Sequence, residues 1–149
     1  MLLEKAKDKS FWVGIRNDPA YRPLLDSLFK QYQENPQTPL ESLRYRDFRL
    51  YFENGNRSVY EAAYFNRRAR LNSCALLCLL FPEKEEYLKQ LQDVIWAICD
   101  EYNWAVPAHL KNWEQNLNAF IDLFAAETGF ALSEIKYLLE DRLDPLIKS

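Results

Sequence analysis

The sequence predicts an all-α protein built from antiparallel helical hairpins. Three observations carry that prediction. Apolar residues recur at three- and four-residue spacing over long stretches; cap and proline signals punctuate those stretches; and glycine occurs only three times in 149 residues, few for a sandwich or barrel with its many tight turns. With 48% hydrophobic and 15% aromatic residues the chain is too apolar to remain disordered, and its length suits a single domain over residues 1–149.

The elements follow in order. Asp18-Pro19 is a cap followed by proline at the first helical position, and Tyr21, Leu24, Leu25, Leu28, Phe29 and Tyr32 then recur at helical spacing until Asn35-Pro36 stops the run. Thr38-Pro39-Leu40-Glu41 is a second start signal of the capping-box kind. The stretch through Leu43, Tyr45, Phe48, Leu50 and Phe52 fits either a short helix or an extended segment, ending near Asn54-Gly55-Asn56. Ser58-Val59-Tyr60-Glu61 is a third box and opens the most regular helix, to about Leu80, where Pro82 ends it. A brief turn leads into a helix over 85–101 that buries Tyr87, Leu88, Leu91, Val94, Ile95, Ile98 and Cys99, so the two form an antiparallel hairpin. Residues 102–118 break the pattern, and a last helix over 119–142, interrupted at Gly129, closes at Asp144-Pro145. The whole is an array of about four to six helices.

Composition also excludes functions. Residues 1–43 are electrically balanced, residues 44–70 carry seven arginines and no lysine for a net of +4, and residues 71–149 sum to −7. The acidic remainder argues against general nucleic-acid binding, whereas arginine without lysine suits planar carboxylates, which its fork meets with paired hydrogen bonds. No apolar run reaches the roughly 18–20 residues of a membrane span and no export signal is visible, so the expected setting is cytoplasmic, without a membrane partner. Cys74 and Cys78, one turn apart in an apolar stretch, read as small core hydrophobes. With His109 the sole histidine, neither a metal site nor any other cofactor is expected.

Two clusters could carry chemistry. Tyr60, Ala63, Tyr64, Arg67, Leu71, Cys74 and Cys78 share one helical stripe, so Arg67 sits on an apolar and aromatic face and needs a carboxylate: Glu61, Asp100 or Asp122 of the chain itself, or an anionic ligand. Arg68 and Arg70 fall toward the solvated side. The second cluster is Trp104-Ala105-Val106-Pro107-Ala108-His109 with Trp113 beyond it. Indole faces stack on sugar rings and imidazole meets hydroxyls; equally, Trp104 can plug a helix junction and His109 can satisfy a backbone carbonyl. Asp122 reads as a favourable charge at a helix start. Phosphate loops, nucleophile elbows and His-rich metal patterns are missing, and Asp100 and Glu101 carry no mark beyond a helix end.

Tyr64-Phe65-Asn66-Arg67-Arg68, Trp104-Ala105-Val106-Pro107-Ala108-His109 and Ile121-Asp122-Leu123-Phe124-Ala125-Ala126-Glu127-Thr128-Gly129, in that order across residues 40–147, together resemble the N-terminal part of heparinase II/III-like proteins. The resemblance implies an incomplete (α/α) toroid and a polysaccharide lyase that cleaves uronic-acid-containing chains by β-elimination. It carries over no catalytic residue, because the family's Asn-rich motif and its Tyr and His come later in the toroid; His109 matches a Pro-x-His element of site-lining or structural role. The expected partner is an acidic polysaccharide or oligosaccharide, met by Tyr60, Tyr64, Arg67, Arg68, Trp104, His109 and Trp113. Too few helices to close a toroid imply a segment of a larger one, with an open apolar edge through which copies can associate. A toroidal glycoside hydrolase segment and a non-catalytic helical interaction module are the competing readings.

Overall fold

The computed structural model describes residues 2–34, 40–112, 116 and 120–148. Every regular element among them is helical: α1 (Leu2–Ala6), α2 (Lys9–Asn17), α3 (Arg22–Glu34), α4 (Tyr45–Asn54), α5 (Ser58–Leu80), α6 (Glu85–Cys99), α7 (Leu123–Leu139) and α8 (Pro145–Lys148), with 3-10 turns at Pro19–Tyr21 and Pro107–His109. The all-α expectation stands. None of these helices is long and apolar enough to cross a membrane.

The centre of the fold is α5, on which α2, α3, α4, α6 and α7 all pack. It buries residues around most of its circumference, from Tyr60, Ala63, Tyr64 and Arg67 to Ser73, Ala75 and Leu80, and leaves Phe65 and Leu76 exposed. Its partner α6 returns after a turn of four residues, and the pair is antiparallel: Arg67, early in α5, reaches the Ala97 carbonyl near the end of α6. Leu71, Cys74, Leu77 and Cys78 meet Leu91, Val94 and Ile98 in a core that Ile135 and Leu139 of α7 complete. Burial pushes the Cys74 thiol up to about 11 and the Cys78 thiol up to about 12, so both are inert core groups at neutral pH.

Helix ends are closed by distant arginines. The final carbonyls of α5, without partners inside the helix, receive Arg16 at Leu80 (3.2 Å) and Arg142 at Cys78 (2.8 Å), and Arg142 also donates to Pro82 in the turn that follows (3.0 Å). The last turn of α6 is closed by the Trp104 indole N–H at Ile98 (2.8 Å) and by Arg67 at Ala97 (3.2 Å).

Several boundaries differ from expectation. The charged N-terminus folds into α1 and α2, joined by the Trp12 indole donating to the Ala6 carbonyl at 2.6 Å and by the Asp8 cap. Thr38 and Pro39 lie outside the described residues; Leu40–Arg44 are not helical, and α4 begins at Tyr45. The stretch through Phe48, Leu50 and Phe52, which by sequence fits helix or extended chain, is a helix closed by Gly55 at φ 78°, a conformation that needs no Cβ. α5 has the expected bounds, but the Ser58 capping box is not formed: Arg57 is the N-cap residue, Asn56 accepts from the Val59 N–H (3.4 Å), and Glu61 turns back to pair with Arg57 (2.8 Å). The last helix spans Leu123–Leu139, shorter than 119–142, and continues through Gly129, which lies beside the Trp104 ring.

Candidate functional site

Side chains of Tyr60 and Tyr64, one turn apart on α5, form with Val106 a small second core on which Leu43, Phe48 and Phe124 rest. Phe48 meets Tyr60 edge-on at 5.0 Å, which joins α4 to the start of α5. The gap left between α4, the Leu40–Arg44 segment and the end of α6 is an open cleft of about 780 Å³. That lies within the usual ligand-site range of roughly 300–1,000 Å³. Arg44, Arg49 and Arg67 line it together with Tyr45, Phe48, Phe52, Tyr60 and Tyr102; Asp100 and Glu101 supply its carboxylates.

At the back wall stands a buried ion cluster. Glu101, its side chain 3% exposed, bridges Arg67 and Arg68. Arg68 meets it with both terminal nitrogens, at 2.7 and 2.6 Å, lays its guanidinium over the Tyr64 ring at 3.6 Å, and donates from Nε to Thr128 Oγ1 on α7 at 3.3 Å. Arg67 donates to Glu101 (3.1 Å), to the Ala97 carbonyl, and twice to the Glu41 carbonyl, from Nε at 3.0 Å and Nη2 at 2.7 Å. Two guanidiniums on one carboxylate leave an excess positive charge at the cleft wall, in a setting of low effective dielectric. The internal partner of Arg67 is therefore Glu101, not Glu61, Asp100 or Asp122. Arg68 is not on a solvated side: its side chain is 13% exposed. Arg70 is half-buried and interacts with Cys74.

The Trp104–His109 cluster lies apart from the cleft's lining. Trp104 is half-buried, spends its indole N–H on α6, and its carbonyl accepts from the Tyr64 hydroxyl at 2.7 Å, so the helix-junction role describes it. His109 pairs through Nδ1 with Asp122 at 2.7 Å, a carboxylate rather than a backbone carbonyl, and stacks on Phe124 with ring centres 5.2 Å apart. Asp122 also caps α7 through the Ala125 N–H (2.7 Å) and accepts the buried Val106 N–H (3.1 Å). Of the sequence-predicted contacts, Tyr60 and Arg67 reach the cleft. Tyr64 and Arg68 stand behind its wall, Trp104 and His109 lie outside its lining, and Trp113 falls outside the described residues.

Sequence reasoning passed over Arg44, Arg49 and Glu101. Only the arginine-rich, lysine-free character of residues 44–70 pointed to the first two. Chemically, the cleft offers donors and ring faces rather than a poised base. Burial raises the Tyr60 phenol far above its ordinary range, with the Glu101 charge adding to the shift, and Tyr64 moves the same way. Compared with known proteins, the chain matches no protein-family model and no curated protein.

Proposed function

We propose that the chain supplies part of the substrate-cleft wall of a polysaccharide-lyase-like protein of heparinase II/III type, acting on uronic-acid-containing polysaccharides by β-elimination. In this reading the residues described here hold the anionic sugar and others provide the base. One observation carries it: a sugar-sized concavity in which three guanidiniums and five aromatic rings converge around two carboxylates. Arginine pairs with uronate carboxylates, and neutralising that charge acidifies the adjacent C5 proton that β-elimination removes. Tyrosine and phenylalanine faces suit the C–H faces of pyranose rings. The antiparallel α5–α6 pair is the hairpin unit that a helical toroid would repeat. Ile121, Leu123 and Phe130, exposed at and along α7, offer the apolar edge through which copies would associate.

The hydrolase reading is less well supported. Glycoside hydrolysis wants two carboxyl groups facing one another with roughly 5–9.5 Å between them. Here Asp100 and Glu101 are neighbours on one wall, and both Glu101 oxygens are spent on arginines.

The test is a binding titration of the chain with acidic tetrasaccharides of galacturonate, mannuronate and glucuronate-containing repeats, each against its carboxyl-reduced counterpart. At least one acidic form should bind about tenfold tighter than its reduced partner and weaken with salt. No unsaturated-uronate absorbance should develop during incubation. Equal affinity for every acidic and reduced pair, or no binding at all, would refute the proposal; product absorbance would show that the chain carries its own base.

A further inference from the structure

The Leu40–Arg44 segment lacks helical structure of its own, yet it forms one rim of the cleft and carries Arg44 at its end. Leu40 and Leu43 pack it against the two cores, and a single backbone oxygen sets its polar anchor. The Glu41 carbonyl accepts both Nε and Nη2 of Arg67, and Arg67 cannot swing away, because Nη1 is held by Ala97 and Glu101. Glu101 is in turn gripped at both oxygens by Arg68, which is braced on the Tyr64 ring and on Thr128 of α7. Three helices thus converge, through one guanidinium, on a point three residues before Arg44. Three residues of extended chain reach roughly 10 Å, so fixing Glu41 leaves Arg44 little room to wander.

The two arginines differ in what they can offer. Arg67 has a side chain only 10% exposed and four of its five N–H groups committed to protein acceptors. Contact with a ligand carboxylate would cost it bonds already made. Arg44 is about half exposed at the cleft, and it is oriented rather than consumed: its Nε meets Asp47 at 2.6 Å, and Asp47 is itself buried. Anchoring a guanidinium along its Nε edge turns the two terminal nitrogens outward, the geometry that meets a carboxylate with paired bonds.

We propose that Arg44 is the residue that grips the ligand carboxylate, and that Arg67 is a positioning residue acting on Arg44 through the Glu41 carbonyl. This rests on the reading of the cleft as an acidic-sugar site. Glu101 and Arg68 belong to the same device, since they hold Arg67 in the one orientation that reaches the segment.

The experiment compares the wild-type chain, Arg44→Gln, Arg67→Lys and the double variant. Each is titrated with the best-binding acidic tetrasaccharide of the panel above and its carboxyl-reduced form, and backbone hydrogen exchange is followed at Ser42, Leu43 and Arg44. Arg44→Gln should weaken acidic binding about tenfold, as expected for one charge-assisted contact, leaving the reduced form and the exchange rates unchanged. Arg67→Lys keeps the charge but loses the paired bonds. The three amides should exchange about tenfold faster, acidic binding should weaken, and the double variant should bind no more weakly than Arg44→Gln alone. Additive losses in the double variant would show that Arg67 touches the ligand itself, and unchanged exchange in Arg67→Lys would show that it positions nothing; either overturns the proposal. Should Arg67→Lys fail to fold, Glu101→Asp, which keeps the charge and shortens the reach, gives the same readings. If none of the acidic tetrasaccharides binds the wild type, the functional reading and the role of Arg44 fail, and the exchange data alone decide whether Arg67 holds the segment.

Discussion

Replacing Glu101 with alanine is expected to destabilise the fold by about 3–5 kcal/mol, because it strands two guanidiniums in an interior that holds a single carboxylate for both. Net stability of a domain is about 5–15 kcal/mol, so one substitution removes about a fifth of it or more. At about 2–4 °C per kcal/mol for a chain of this size, the melting midpoint should fall by roughly 6–20 °C. The loss measures an uncompensated buried charge rather than the strength of the ion pairs themselves. A triple replacement of Arg67, Arg68 and Glu101 by leucine or methionine should therefore recover most of the stability, while releasing Glu41 and with it the cleft rim. Thermal and urea denaturation of the single and triple variants separates the two effects. A Glu101→Ala chain that melts with the wild type would show that the cluster is solvated rather than buried.

The second large effect is expected at Asp122. Its carboxylate, side chain 4% exposed, caps α7 through the Ala125 N–H, takes the Val106 N–H and holds His109. Removing an N-cap acceptor costs about 0.5–2 kcal/mol, and orphaning a buried N–H costs about 1–3 kcal/mol. Asp122→Ala should thus lose about 1.5–5 kcal/mol in total. The loss should be accompanied by faster hydrogen exchange at Val106 and Ala125, because the 103–110 loop and the start of α7 are fastened by the same side chain. Asp122→Asn, which keeps an acceptor, should lose about half as much. A destabilisation under about 0.5 kcal/mol for the alanine variant, the level of an ordinary surface change, would contradict this account.

How far the sequence disclosed this arrangement depends on whether a feature is local. The bounds of α5 follow from the periodic stretch between Asn56 and Pro82, and the placement of Arg67 on an apolar face follows from spacing alone. Arg68 shows where that reasoning fails. Neighbouring residues on a helix point about 100° apart, so a chain with one buried stripe should leave Arg68 wet. But the solvated stripe of α5 runs through Ala62, Phe65, Asn72 and Leu76, and Arg68, at its border, is covered by Glu101 and by Thr128 of α7. Glu101 escaped notice because it follows α6 in an irregular stretch and meets arginines 33 and 34 positions earlier in the chain; periodicity says which way a side chain faces, not what faces it. The Ser58 box failed for a local reason, since the Glu61 carboxylate pairs with Arg57 and the Glu61 N–H donates to the Arg57 carbonyl, both groups the box would have used. The cleft was the least legible part, because a concavity between α4 and α6 depends on the contact of Phe48 with Tyr60, which no motif encodes.

The central claim is that the cleft between α4 and the end of α6 receives an acidic glycan. The most direct test is an amide chemical-shift titration of isotopically labelled chain with the acidic tetrasaccharides and their carboxyl-reduced forms. At least one acidic form should shift residues 42–52, Tyr60 and 97–103 in a saturable way, with the reduced forms much weaker. Perturbations confined to His109, Ile121 and Leu123, or no saturable shift with any of the acidic sugars, would contradict the claim.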